Sequence, residues 1–139
     1  MIYQFKDLEY DFQFYIMVVD DSDELLKFDR ENTDFHLSER LSEVADSDAV
    51  VISDIINNNI NKSIVVCFKP KFITGNYLYF LRLVSHESIH VTFRRFGDLG
   101  LVEQLENKRV FADYYDWVHT SMLDCLWEYR QKNARLGAG

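Results

Sequence analysis

Pro70, the only proline in the chain, divides two kinds of sequence. The β-rich runs lie before it, and both long helical repeats lie after it. Proline cannot donate to a strand ladder, so it ends the last strand. Residues 1–5, 12–19, 50–56 and 63–68 are rich in aromatic and β-branched side chains and read as strands. Phe12, Phe14, Ile16 and Val18 alternate onto one face. Between the last two runs lies Asn57-Asn58-Asn59-Ile60-Asn61-Lys62. Asparagine tolerates left-handed backbone angles, so this segment predicts a hairpin turn. Strands first and helices after predict an α+β fold: a small antiparallel sheet in the N-terminal half, packed on two long C-terminal helices.

The helical signals are local. Residues 20–34 read as a polar connection with a helical turn near 24–28, and Leu37, Leu41 and Val44 predict a short helix over 36–45. Thr74 or Asn76 can cap a helix that runs to Phe96, with Gly97 at its C-terminal position. Residues 98–100 read as a loop, and a second helix spans about 103–132. Its Phe111, Tyr114, Val118, Met122, Cys125 and Tyr129 recur at three and four, which makes one apolar stripe.

A length of 139 residues fits one domain, expected over 1–133 with an acidic β-rich half at 1–69 and a helical half at 74–133. Residues 134–139 are expected to fray. Cys67 sits in an apolar run and Cys125 in a helical pattern, so both read as reduced core residues of a cytoplasmic protein. No targeting segment is evident at the start, and no run approaches the roughly 18 apolar residues of a membrane helix.

Charge is distributed unevenly. The formal net charge is -8, but residues 1–54 alone carry 15 acids and 4 bases, a net of -11, which leaves +3 for residues 55–139. Asp20, Asp21, Asp23, Glu24, Asp29, Glu31 and Asp34 follow in close succession. The excess of acids argues against direct binding of nucleic acid or anionic membrane, since both are polyanions. The bland reading of the run is a solvated face. The sharper one is a surface for a basic partner, or one that imitates nucleic acid. A calcium loop is disfavoured, because the spacing lacks that loop's glycine and terminal glutamate.

His86-Glu87-Ser88-Ile89-His90 is an H-E-x-x-H sequence inside the first long helical pattern, flanked by apolar Leu83, Val84, Ile89 and Phe93. Residues four apart on a helix point the same way, so both imidazoles can grip one zinc ion. Glu87 is placed to act as general base on a metal-bound water. The bland alternative is a pair of packed histidines. His36 reads as a surface residue, and His119 as a packed or capped one. A catalytic zinc site takes three protein ligands and a water. In one large class the third is a glutamate about twenty residues past the second histidine. Here that position is Val110, and the nearest acids are Glu106 and Asp113. Asp113 follows Arg109 by four residues on the same face and is the preferred third ligand.

Over roughly residues 64–117 the chain resembles a group of small bacteriophage-encoded proteins of mostly unassigned function. The likeness rests on Val65-Val66-Cys67-Phe68-Lys69, then the H-E-x-x-H of His86 to His90, then Phe111-Ala112-Asp113-Tyr114-Tyr115-Asp116-Trp117. The resemblance implies a compact zincin-like metallopeptidase built on a helix pair, acting in the host cytoplasm. The group's acidic cluster falls on Lys108 and Arg109 here, which moves the carboxylate one turn along, to Asp113.

Two functions follow. One is a zinc-dependent hydrolase of peptidase or amidase type, with His86, His90 and Asp113 as metal ligands, Glu87 as base and a peptide-like substrate. The other is a non-catalytic acidic protein that binds a basic host protein, such as a defence enzyme, and blocks its nucleic-acid channel. A structural domain in which the motif serves only as packing is the third reading.

Overall fold

A computed structural model of the chain describes residues 2–7, 12–19, 22–32, 48–54, 63–99 and 108–138. The backbone divides at the sole proline into two compact units, Met1–Pro70 and Lys71–Gly139. The first holds the sheet and the second the long helices, so the α+β class holds. Among the described residues, no helix is long and apolar enough to cross a membrane.

The N-terminal unit contains strands β1 (Ile2–Asp7), β2 (Phe12–Val18), β3 (Ala49–Asp54) and β4 (Ser63–Phe68), and helix α1 (Ser22–Asn32). The four strands lie in the order β1-β2-β4-β3. β1 pairs antiparallel with β2, from Ile2 opposite Met17 to Asp7 opposite Phe12. β3 and β4 form the expected hairpin, Ala49 opposite Phe68 and Asp54 opposite Ser63. Its asparagine turn lies outside the described residues, as does the helix expected over 36–45.

The sheet is mixed where an antiparallel one is expected, because the central pair, β2 and β4, runs parallel from Phe14–Ile64 to Val18–Phe68. The composition of these two strands explains their place. Residues 14–19 and 63–68 are buried without a break. Such runs suit central strands covered on both faces, whereas a half-exposed strand alternates apolar with polar. Tyr15, Met17, Val19, Val65 and Cys67 form one cluster with Phe28 of α1, and Val50 packs against it. The Phe28 ring meets Tyr15 edge-on at 5.4 Å. α1 is therefore three turns of helix, where the sequence predicts a polar connection with one. At the edge of the sheet, Phe5 stacks on its cross-strand neighbour Phe14 with centroids 5.0 Å apart.

The short helix α2 (Pro70–Thr74) begins at the boundary, and the C-terminal unit contains the long helices α3 (Tyr77–Leu99) and α4 (Lys108–Ala138). Pro70 opens α2, where a missing N–H costs nothing. Gly75 follows because a Cβ there would lie 2.7 Å from the Lys71 carbonyl oxygen. Asn76 is the cap of α3: its Oδ1 accepts the Tyr79 N–H at 2.9 Å, and its carbonyl accepts the Phe80 N–H at 2.9 Å. Thr74, the other expected cap, belongs to α2. The corner is closed from α4, where Arg130 Nη1 donates to the carbonyls of Ile73 (2.9 Å) and Gly75 (2.8 Å).

α3 and α4 run antiparallel. Phe96 meets Phe111 and Tyr114 at one end, with centroids 5.3 and 5.9 Å apart. Phe80 meets Trp127 at the other, at 6.3 Å. Val118, Met122 and Cys125 of the apolar stripe are buried, and so is Leu126 beside them, while Phe111, Tyr114 and Tyr129 are half-buried. α3 passes through Gly97 to Leu99, and α4 continues to Ala138 across the segment expected to fray. Both cysteines are buried free thiols. Burial pushes each up to about 12, with Asp124 adding to the effect at Cys125, so neither is ionised at neutral pH.

The Asn76→Ala chain should lose about 1 kcal/mol of stability, the cost of an N-cap. Urea unfolding of the whole protein measures it. An unchanged midpoint would mean that the cap does not hold the start of α3.

Candidate metal centre

One helix presents the whole H-E-x-x-H sequence, and its phase decides what each residue can do. Successive residues step about 100° around an α-helix. Leu83, Val84, Glu87, Ser88, Val91, Thr92 and Arg95 fall on the buried side of α3. His86 and His90 fall on the exposed side. Burying Ser88 and Thr92 is cheap here because each satisfies its own hydroxyl within the helix. Ser88 Oγ donates to the Val84 carbonyl at 2.7 Å, and Thr92 Oγ1 to the Ser88 carbonyl at 2.8 Å.

The two imidazoles converge. His86 Nε2 and His90 Nε2 are 3.0 Å apart, and the rings meet edge to face with centroids 4.6 Å apart. At that distance one ring donates a hydrogen and the other accepts it. Two nitrogens on a tetrahedral zinc, each about 2.0–2.1 Å from the ion, lie roughly 3.3 Å apart. The pair is thus within a few tenths of an ångström of the spacing zinc requires, and its rings open into solvent. Partial burial holds the His90 pKa below its ordinary value, and the His86 and Arg94 charges push the same way. His90 is accordingly neutral at physiological pH, the form in which imidazole binds a metal.

The other expected site residues stand apart from this pair in different ways. Glu87 is 6% exposed and lies toward the buried side of α3. Asp113 is exposed on α4. Among the described residues, no three His, Cys, Asp or Glu side chains are grouped to hold one metal. Asp113 therefore forms no three-ligand set with His86 and His90, and Glu106 lies outside the described residues. His119 is half-buried and stacks flat on Tyr115, with centroids 5.5 Å apart, as a packed residue should. His36 also lies outside the described residues, as do Asp20, Asp21 and Asp34 of the acidic run; of its other members, Glu24 is half-buried, Asp29 buried and Glu31 exposed.

Two features beside the motif were not drawn from the sequence. Ser85 Oγ and the Tyr115 hydroxyl are 3.0 Å apart, which ties the residue before His86 to α4. Ile89 and Phe93 are 41% and 51% exposed, although both read as apolar flanks of a packed helix. The signal for them was present: His86, Ile89, His90 and Phe93 stand at i, i+3, i+4 and i+7, which is one helix face. No family model matches the chain, and no match appears among the curated proteins or the solved structures.

In the metal-free protein, His90 should titrate below histidine's ordinary pKa of 6.5. The unfolded chain then binds a proton at this ring more readily than the folded one. The ring's contribution to stability is therefore complete above pH 6.5 and falls as the pH drops through that value. Ring-proton NMR across pH 4–8 reads the midpoint directly, and a value at or above 6.5 would contradict the assignment.

Proposed function

We propose that this chain is a zinc-dependent hydrolase of the H-E-x-x-H type, acting on peptide or amide bonds. The observation that carries the reading is the 3.0 Å approach of His86 and His90 Nε2 on an exposed helix face. When bound, zinc supplies a water whose pKa falls to about 7. Glu87, one residue from His86 and only 6% exposed, would take the proton of that water as general base. Asp113, which does not stand with the pair in the free chain, or Glu106 completes the shell in this proposal once zinc is bound. The substrate class follows from analogy with the H-E-x-x-H class, and the two buried free thiols support a cytoplasmic setting.

Equilibrium dialysis of tag-free, full-length protein against excess zinc should give one zinc per chain, and His86→Ala or His90→Ala should abolish it. Glu87→Gln should keep zinc and fold yet lose release of free amines from a peptide mixture. Folded protein that takes up no zinc overturns the reading.

A second reading rests on charge. The net of -11 over residues 1–54 fits a surface for a basic host protein. A partner held by that surface should elute steeply as salt rises from 0.05 to 0.5 M, because screening shortens the reach of surface charge. Retention that ignores salt counts against it.

A further inference from the structure

A metal site on an exposed helix face is open to more than water. His86 and His90 supply two nitrogens to one point in solvent. A closed zinc site takes four ligands in tetrahedral array. Among the described residues, no third ligand from the same chain joins the pair. A second copy of the chain carries the same two imidazoles on the same exposed face. Two such pairs related by a two-fold axis make a four-nitrogen shell, and a two-fold interface needs only one self-complementary patch.

The surroundings of the pair suit such an approach. Ile89 and Phe93 lie on the same helix face within one turn of the histidines, 41% and 51% exposed. Association around the zinc would take both from water, which favours the closed form. Arg82 and Arg94 are exposed one turn beyond His86 and His90 in opposite directions along the helix. Their like charges oppose a lengthwise alignment of two α3 helices and favour a crossed one, with the arginines at the solvent-screened rim.

We propose that one zinc ion joins two copies of this chain through His86 and His90 of each, and that the bridged pair is the closed, resting form of the metal site. The inference rests on zinc binding by the same two histidines. All four imidazoles bind neutral through Nε2. The ring that donates in the free pair moves its proton to Nδ1, so no net proton is released. Four nitrogens leave no coordination position for water. The bridged form therefore does no hydrolysis, and the single chain with its own zinc is the active form.

Zinc stoichiometry separates the two forms. Light scattering on tag-free full-length protein, with half an equivalent of zinc, should show the mass rise from 16.5 kDa to twice that value. Excess zinc should return it to 16.5 kDa, since each pair then holds its own ion. His90→Ala should stay at the single-chain mass at every zinc level. Ile89→Lys should still take up one zinc per chain, yet need roughly tenfold more protein to reach the doubled mass. A protein that binds zinc but keeps its single-chain mass at half an equivalent overturns the bridge and leaves the hydrolase reading intact. A protein that binds no zinc overturns both. Doubling that survives His90→Ala, or that Ile89→Lys leaves untouched, places the contact elsewhere and overturns the proposal.

Discussion

The phase of α3 governs what the C-terminal unit can offer. Asn76 sets where the helix begins, and about 100° per residue does the rest. The same rotation that turns Val84, Ser88 and Val91 inward turns His86 and His90 outward. A helix with two buried hydroxyls would ordinarily need partners for them from elsewhere. Here Ser88 and Thr92 bond back to carbonyls four residues earlier, so the polar residues do not force a different rotation. Tyr115 adds a check from α4 through Ser85, on the flank between the two faces.

What the sequence revealed was local. The cap at Asn76, the β3–β4 hairpin and the stripe on α4 each depend on neighbours within a few residues, or on one turn. The parallel pairing of β2 with β4 depends on a chain segment of more than forty residues returning to one edge. Alternation in β2 suggested one buried face, but the intervening Tyr15 and Met17 are buried as well, against Phe28 of α1. Only the uninterrupted apolar run of β4 hinted at a strand covered on both faces. α1 was hidden because its charged residues mask a single anchoring aromatic.

The candidate site divides along the same line. Spacing alone brings His86 and His90 together, and the 3.0 Å approach needs nothing outside one helix. A third ligand must come from another element, and no spacing rule fixes which residue of α4 arrives beside α3. Ile89 and Phe93 show a subtler loss. Both read as apolar flanks of a packed helix, yet hydropathy says nothing of side. Their place beside the histidines follows from counting turns.

The Arg130 latch carries a consequence for how the chain acquires its shape. Its two carbonyl partners, Ile73 and Gly75, precede it by 57 and 55 residues. During synthesis, the bend between α2 and α3 is made long before the cation that fastens it. While α4 is still incomplete, Tyr77 and Phe80 wait without the guanidinium that will lie over their rings. The helix that displays the histidines is thus pinned at its root by one of the later-made residues of its unit. Its orientation is settled by completion of the chain rather than by its own early formation.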